Sequence, residues 1–313
     1  MAERNIMTTT SSFEIMREEG AIYVDKTALI YRLVSGSDNA FFLSRPRRFG
    51  KSLLVSTLQA YFEGRKELFE GLAIAELEKN WVKYPVFKFD MSNVKDNSIR
   101  MLEESLDYTL KQYEAVYGCD TSDKLPATRL KGLIQRARKM TNKRVVVLID
   151  EYDTPLLDNL SDKLTLDVMR KKLKDFYGVL KQYTDDIRFV FITGITKFSQ
   201  LSIFSAMSNL ITLSMKGDYA SICGISRDEL LKALAPEVKD MASALQVSES
   251  TVLARLKKKY DGYHFCMPSS DIYNPLSLLR SLKDKEFKNY WYETGTPTFL
   301  TQMMANYTNP EIL

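Results

Sequence analysis

The stretch that most constrains the fold covers residues 40–55, which read as a strand, a turn and a helix in direct succession. An apolar run leads into an arginine-rich turn, and Gly50-Lys51-Ser52 opens a helical pattern. Backbone N–H groups at a helix N-terminus attract phosphate, a lysine there reaches the β- and γ-phosphates, and a serine hydroxyl can ligate Mg²⁺. The full phosphate-loop signature has glycine at position 45, where this chain has Arg45.

A second motif lies near the middle of the chain. Val145–Ile149 is an unbroken, mostly β-branched run, which is typical of a parallel strand buried on both faces, and Asp150-Glu151 follows it. In P-loop NTPases an aspartate at a strand end holds Mg²⁺, and a glutamate beside it can polarise the attacking water. Acidic residues also occur at strand ends simply because these ends meet solvent. The phosphate-loop pattern upstream nevertheless favours a functional role for Asp150 and Glu151.

A third strand pattern, Arg188–Ile192, ends in Thr193. In NTPases with an added strand between the phosphate loop and the acidic strand, the next strand often ends in a polar sensor of the γ-phosphate. Thr193 lies where that sensor is expected, and Thr196 and Lys197 follow in the same loop. The alternative is a threonine that only bonds a turn.

Strand and helix patterns alternate from residue 40 to 215, which predicts an α/β fold with a parallel five-stranded core sheet between two helical layers. The predicted strands are Ala40–Leu43, Val86–Phe89, Val145–Ile149, Phe189–Ile192 and Leu210–Leu213. After about residue 225 helical patterns dominate, and one opens with a Ser226/Glu229 capping box. We therefore predict a nucleotide-binding domain over residues 1–220 and a smaller, mostly helical lid domain over residues 221–313.

The composition narrows the functional classes. Of the 313 residues, 45% are hydrophobic and 27% are charged, as in globular proteins; no apolar stretch approaches a membrane span, and the N-terminus has no apolar signal core. Three scattered cysteines and the single His264 offer no recognisable zinc site, so we expect a reduced, cytoplasmic protein with buried thiols. The net charge is +4, and basic residues cluster in 129–144 and 170–174. Nucleic acid is a possible partner, although helical spacing favours charges on solvated helix faces.

With these motifs in place, the chain resembles the bacterial predicted AAA-ATPase (AAA-ATPase-like) family, a branch of the additional-strand P-loop ATPases. The resemblance rests on Tyr23–Thr27, Ser44–Ser52, Leu148–Asp153, Phe191–Gly194, Ser202–Ser205, Tyr273–Pro275 and Thr294–Leu300. It implies that Arg45 is the family's ordinary residue at that position and that Tyr23–Thr27 lies close to the nucleotide. Many relatives continue into a nuclease-like domain; no such constellation is apparent in these 313 residues.

These observations predict ATP binding and Mg²⁺-dependent ATP hydrolysis that drives or gates a protein partner, another copy or an appended domain. Lys51, Glu151 and Thr193 are the predicted catalytic residues, and Ser52 and Asp150 the predicted Mg²⁺ ligands. The predicted nucleotide-binding residues are Arg45, Pro46, Arg47, Arg48, Phe49, Gly50, Lys51, Ser52 and Leu53. Two alternatives stay open: a regulatory module that holds ATP or ADP with negligible turnover, and a small-molecule phosphotransferase.

Overall fold

A computed structural model of the protein describes residues 4–93, 98–196, 203, 209–267 and 271–291. Five parallel strands form its main sheet in the order β2-β3-β4-β1-β5. They are β1 (Ala40–Ser44), β2 (Val86–Asp90), β3 (Val145–Asp150), β4 (Ile187–Gly194) and β5 (Ile211–Thr212). The predicted parallel five-stranded α/β sheet is confirmed, and β4 lies between the phosphate-loop strand β1 and the acidic strand β3.

Helices cover both faces of this sheet and continue beyond it. Those before residue 220 are α1 (Phe13–Glu18), α2 (Thr27–Ser35), α3 (Lys51–Phe62), α4 (Ala73–Leu77), α5 (Ile99–Tyr117), α6 (Pro126–Thr141), α7 (Thr154–Leu157) and α8 (Lys163–Gln182). Those after it are α9 (Arg227–Ala233), α10 (Ala235–Ala244), α11 (Glu249–Tyr260) and α12 (Pro275–Asp284). A short antiparallel pair, β6 (Ile225–Ser226) and β7 (Ile272–Tyr273), links the last group.

Alternate side chains of the strands enter two separate cores, as the two-residue period of a strand requires. Val145, Val147 and Ile149 pack with α5, α6 and α8, while Val146 and Leu148 pack with α2 and α3 on the opposite face. All six residues of β3 are buried. This double burial explains why its sequence shows an unbroken apolar run rather than an alternating one.

A third apolar cluster holds the C-terminal helices together and includes Ile6 and Ile22 from the N-terminal segment. Leu230, Met241, Leu256 and Leu278 supply one buried side chain each from α9 to α12. The N-terminal segment therefore packs against the C-terminal helices. The domain boundary at residues 220 and 221 stays a prediction.

Two details differ from the sequence-based expectations. Arg129 does not lie on a solvated helix face: it is buried and bonds both carboxylate oxygens of Glu114, at 2.8 and 2.7 Å, and Asp107 at 2.6 Å. Cys119 is exposed, whereas the other two thiols are buried. Lys197, most of Ser202–Ser205 and all of Thr294–Leu300 lie outside the described residues.

Candidate functional site

The carboxyl ends of β1, β4 and β3 bring the sequence motifs to one edge of the sheet. Leu43 pairs with Thr193 and Ser44 with Gly194, and Ile149 pairs with Ile192. The turn after β1, the end of β4 and Asp150 are therefore neighbours, with Thr193 on the middle strand. The structure thus brings together the three motifs that the sequence predicts to act together.

The turn after β1 ends at Gly50, whose backbone conformation would be strained in a residue with a side chain. Gly50 has φ +87°, in the left-handed region, and occupies the N-cap position of α3. Because Gly50 has no side chain to cap the helix, the first backbone N–H groups of α3 are available to an anion. Arg48 also has a positive φ of 66° and is exposed, while Arg47 is half-buried.

Lys51, the first residue of α3, is directed back into the turn. Its side chain is only 3% exposed, and its Nζ donates to the backbone carbonyls of Arg45 and Pro46, at 3.2 Å each. Ser52 and Leu53, the next residues of α3, are half-buried. The ammonium is thus held inside the turn by two neutral acceptors, and a negatively charged phosphate oxygen is a stronger acceptor than a carbonyl.

Arg45 has a different environment from the other arginines of this turn. Its side chain is 1% exposed, and its NH1 donates to the carbonyl of Ser214 at 2.8 Å. Its NH2 lies 3.3 Å from the carbonyl of Ala220, and the guanidinium carbon lies 3.9 Å from the centre of the Phe265 ring. Its backbone N–H donates to Gly194. These groups of Arg45 are therefore engaged within the protein and not at the mouth of the turn.

Phe49 connects the same turn to the C-terminal part of the chain. It is fully buried, and its ring meets Tyr263 and Phe265 edge to face, with centroids 4.7 and 5.5 Å away. Its carbonyl accepts from the N–H of Gly224 at 3.1 Å. Gly224 has φ +91°, and a Cβ there would lie 2.2 Å from Ile272. The close approach of the Gly224 backbone to Ile272 of β7 therefore depends on glycine at this position.

The acids after β3 form the second half of the site. Thr193 Oγ1 donates to Asp150 Oδ1 at 2.5 Å and accepts from the N–H of Glu151 at 3.2 Å. Asp150 is 3% exposed. Glu151, with φ +50°, is half-buried and accepts from the hydroxyl of Thr154 at 3.2 Å. Thr193 therefore holds the carboxylate of Asp150 and the backbone of Glu151.

Burial raises the pKa of Glu151 above its ordinary value, and the neighbouring charge of Asp150 raises it further. The positive charges of Lys51 and Arg47 act in the opposite direction. Glu151 thus lies within electrostatic reach of the phosphate-loop lysine. Desolvation makes this carboxylate a better proton acceptor, and the nearby cations offset part of that effect.

Asp153 supports this edge in a way the sequence does not reveal. It occupies the N-cap position of α7, but its side chain does not cap that helix. Instead its carboxylate, fully buried, accepts from the N–H of Ile195 at 3.0 Å and from both the N–H and hydroxyl of Thr196, at 2.8 and 2.9 Å. The loop after β4 therefore supplies the donors that this carboxylate accepts from. Burial raises the pKa of Asp153, and these hydrogen bonds offset part of the rise.

A mostly apolar cavity, with about 80 Å³ of room for the centres of water-sized molecules, opens beside Gly50 and Leu53. Besides Met16 and residues of the phosphate-loop turn and α3, three further parts of the chain form its walls: residues 22–24 with Lys26, residues 222–225, and Pro275 with Leu279. The segment Tyr23–Thr27, which the resemblance implies is near a nucleotide, is thus next to the helix that follows the phosphate-loop turn. The other two walls were not identified from the sequence, since no periodic pattern marks them.

Lys26 is the buried charged side chain of the first wall. Its Nζ donates to both oxygens of Glu229, at 2.5 Å each, and its side chain is 9% exposed. Burial lowers the pKa of Lys26, and Glu229 opposes this shift. Glu229 also completes the capping box of α9 with Ser226. A single carboxylate therefore ties the N-terminal segment to the first C-terminal helix.

Comparison with known proteins places this architecture in a family. The model of the family described as "Predicted AAA-ATPase" matches residues 8–204. The chain belongs to this family. It therefore has a P-loop ATPase-like domain, of the nucleotide-binding class, and the expected resemblance is confirmed.

Two individual proteins are similar to this chain. One is an uncharacterized protein encoded in the vnfD 5′ region of Azotobacter chroococcum mcd 1, which is 32% identical over 306 residues; the match covers 97% of this chain and 57% of that protein. The chain thus spans little more than half the length of this relative. The other is the ORC2 protein of Aeropyrum pernix, solved as ADPNP-ADP complexes, with a TM-score of 0.36, 13% identity, and coverage of 81% of this chain and 69% of that one. This similarity is too weak to carry an argument about function.

Two further observations concern the described residues only. None of their helices is both long and apolar enough to cross a bilayer. They also contain no group of three or more histidine, cysteine or acidic side chains arranged to hold a metal ion on its own.

Proposed function

We propose that the protein binds ATP with Mg²⁺ at the edge formed by β1, β3 and β4 and hydrolyses it. The observation that carries the proposal is the meeting of the uncapped N-terminus of α3 and its buried Lys51 with the Asp150–Thr193 pair. Catalysis of phosphoryl transfer is chiefly a matter of positioning and of stabilising negative charge. Both requirements are supported by groups that are already oriented by the fold.

The phosphates would lie against the turn after β1, residues 45–53. Lys51 would exchange a carbonyl for a β- or γ-phosphate oxygen, a stronger, charge-assisted partner. The backbone N–H groups at the start of α3 would bind the remaining oxygens. Arg47 and Arg48, at the mouth of the turn, are cationic and partly or fully exposed. Arg45 belongs to this turn by position, but its guanidinium does not face the proposed phosphates.

Oxygen donors at this edge fit Mg²⁺, which prefers them and commonly retains phosphate and water as further ligands. The carboxylate of Asp150 and the hydroxyl of Ser52 would hold the ion, and the ion would neutralise charge on the phosphates. Thr193 would keep Asp150 in position and contact the γ-phosphate. Glu151, desolvated and close to Lys51, would accept a proton from the attacking water.

The nucleobase would enter the cavity beside Gly50 and Leu53. This cavity begins at the first turn of α3, adjoining the proposed phosphate position, and its lining is predominantly apolar. A flat, uncharged heterocycle fits such a lining, as ligand pockets combine apolar walls with few polar groups. The C-terminal helices form one wall and would act as a lid, so nucleotide binding would be coupled to their position.

Binding is tested by thermal melting with millimolar MgATP. Ligand at about 100 times its Kd adds about 2.7 kcal/mol of apparent stability, which raises the melting temperature. Lys51→Ala should abolish the shift. Lys174→Ala, which removes an exposed lysine of α8, is the matched control and should retain it. An unshifted parent protein, or a shift that survives Lys51→Ala, would refute the assignment.

Hydrolysis is tested by phosphate release from the parent and Glu151→Gln proteins. The substitution removes the proposed base with little change of shape, so ATP should still bind while turnover falls about 10²-fold or more. Equal turnover would remove Glu151 from the mechanism. No turnover in the parent, with binding intact, would favour the regulatory switch. Turnover per molecule that rises with protein concentration, and loses the rise in Arg48→Ala, would indicate a second copy as partner.

A further inference from the structure

The most deeply buried arginine of the phosphate-loop turn is Arg45. Arg45 is 1% exposed and forms no salt bridge within the described part of the chain. A buried charge without an opposite charge is costly, and a glycine at this position would avoid that cost. Its contacts are therefore expected to have a specific role beyond the stability of the turn.

Apart from a bond from NH1 to the carbonyl of the preceding residue, Ser44, at 3.0 Å, the contacts of the guanidinium lead to one segment and one ring. The two terminal nitrogens of Arg45 reach the carbonyls of Ser214, Tyr219 and Ala220, at 2.8, 3.4 and 3.3 Å. The face of Phe265 covers the guanidinium at 3.9 Å. A planar guanidinium can bond several carbonyls in fixed directions and stack on an aromatic ring at the same time, which an ammonium cannot. Arg45 thus fixes residues 214–220, which lie about 170 positions away in the chain.

The same segment continues directly into a wall of the cavity. Ile222, Cys223, Gly224 and Ile225 line it, two positions after Ala220. Gly224 is in turn bonded to the carbonyl of Phe49, whose ring meets Phe265. Arg45 and Phe49 therefore hold the two ends of this wall from the same turn.

We propose that Arg45 is a positioning residue for the nucleobase, which holds the 214–225 segment so that the wall of the cavity fits the base. The proposal rests on the proposed function and refines it: the residue that replaces the usual glycine contributes to base recognition and not to phosphate binding. Its main-chain carbonyl, which Lys51 contacts, is retained by any substitution. Phosphate binding and base binding are therefore separable by mutation.

The test compares two ligands in the parent and in Arg45→Gly. Isothermal titration measures the Kd of MgATP and of Mg²⁺-tripolyphosphate, which lacks the base and ribose. In Arg45→Gly, the preference for ATP over tripolyphosphate should fall by about tenfold or more, a change equivalent to about 1.4 kcal/mol. The Kd for tripolyphosphate should stay within about twofold, because the phosphate-binding groups are unchanged. Arg45→Lys should resemble Arg45→Gly, because an ammonium cannot replace the forked guanidinium.

Two further variants control for stability and folding. Phe265→Leu removes the ring that covers the guanidinium and keeps Arg45 itself. It should also reduce the ATP preference, so it can replace Arg45→Gly if that variant does not fold. Arg129→Met removes a buried arginine far from the cavity, on α6; it should lower the melting temperature and leave the ATP preference unchanged.

The outcomes separate this inference from the proposed function. If the parent binds neither ligand, the proposed function fails. If the parent binds both and Arg45→Gly, Arg45→Lys and Phe265→Leu keep its ATP preference, only the role of Arg45 fails. A loss of affinity for both ligands by the same factor in Arg45→Gly would instead indicate that Arg45 serves the phosphates, and would overturn the proposal.

Discussion

A methyl group added at Gly194 should disrupt the edge of the sheet that carries the candidate site. A Cβ at this position would lie 2.4 and 2.5 Å from two ring carbons of Tyr152 and 2.8 Å from Asp153 Oδ1. Favourable carbon–carbon contacts occur at about 3.5 to 4.0 Å, so the ring would have to move by about 1 Å. Tyr152 is fully buried against Phe42 and cannot move freely.

The cost follows from these contacts. Overpacking of a well-filled core costs about 1 to 3 kcal/mol, and displacement of the Tyr152 ring also loses the bond from its hydroxyl to the carbonyl of Thr196, worth about 1 kcal/mol. Gly194→Ala should therefore lower the free energy of unfolding by about 2 to 4 kcal/mol. Urea unfolding followed by circular dichroism should show a midpoint lower by about 1 M.

A matched glycine provides the control. Gly178 lies within α8, and a Cβ there would meet nothing within 4 Å. Gly178→Ala should therefore raise the free energy of unfolding by about 0.5 to 1 kcal/mol, because alanine is the better helix former. If Gly194→Ala unfolds at the same urea concentration as the parent, the close packing of β4 on Tyr152 is not as described and the reasoning fails.

Two further predictions concern ion pairs. Arg129 lowers the pKa of Glu114, so the stability that this pair contributes is complete above the ordinary glutamate pKa of 4.5 and is lost as the pH falls through the lowered value. Arg129→Met should therefore destabilise the protein by about 2 to 3 kcal/mol at pH 7 and by less at pH 4. An equal loss at both pH values would contradict this. Ser226→Ala should lower the free energy of unfolding by about 1 kcal/mol through the lost helix cap. Glu229→Gln should lower the melting temperature more than Ser226→Ala does, because it also leaves the buried ammonium of Lys26 without its counter-charge. Equal losses of stability in the two variants would show that the ion pair adds nothing.

The sheet could be predicted from the sequence because each strand carries its own signal. Buried parallel strands require apolar residues on both faces, and the runs that begin at Ala40 and Val145 meet this requirement over their whole length. The predicted strands agree with the structure to within about two residues at each end. Ser226 and Glu229 also predicted the start of α9, because a capping box depends only on residues three positions apart.

The supports of the site could not be predicted in this way. Asp153 stands at the start of a helix, but the partners of its carboxylate come from the loop after β4, some 40 residues on. The partners of Arg45 are backbone carbonyls, and a carbonyl has the same chemistry in every residue, so no side-chain pattern marks them. The cavity likewise depends on how three distant segments meet, which is a property of tertiary packing.

The insertion of β4 beside β1 also determines when the centre of the sheet can form. Ala40 pairs with Val190, 150 positions later in the chain, and the other neighbour of β1 is β5, which comes later still. At synthesis rates of about 5 to 20 residues per second, the apolar β1 waits about 8 to 30 s for its first strand partner to be made. Pairings of such long range also form slowly in refolding, because a large loop must close first. During that interval the newly made N-terminal segment exposes an unpaired apolar strand, and its protection from aggregation depends on the helices that are synthesised around it.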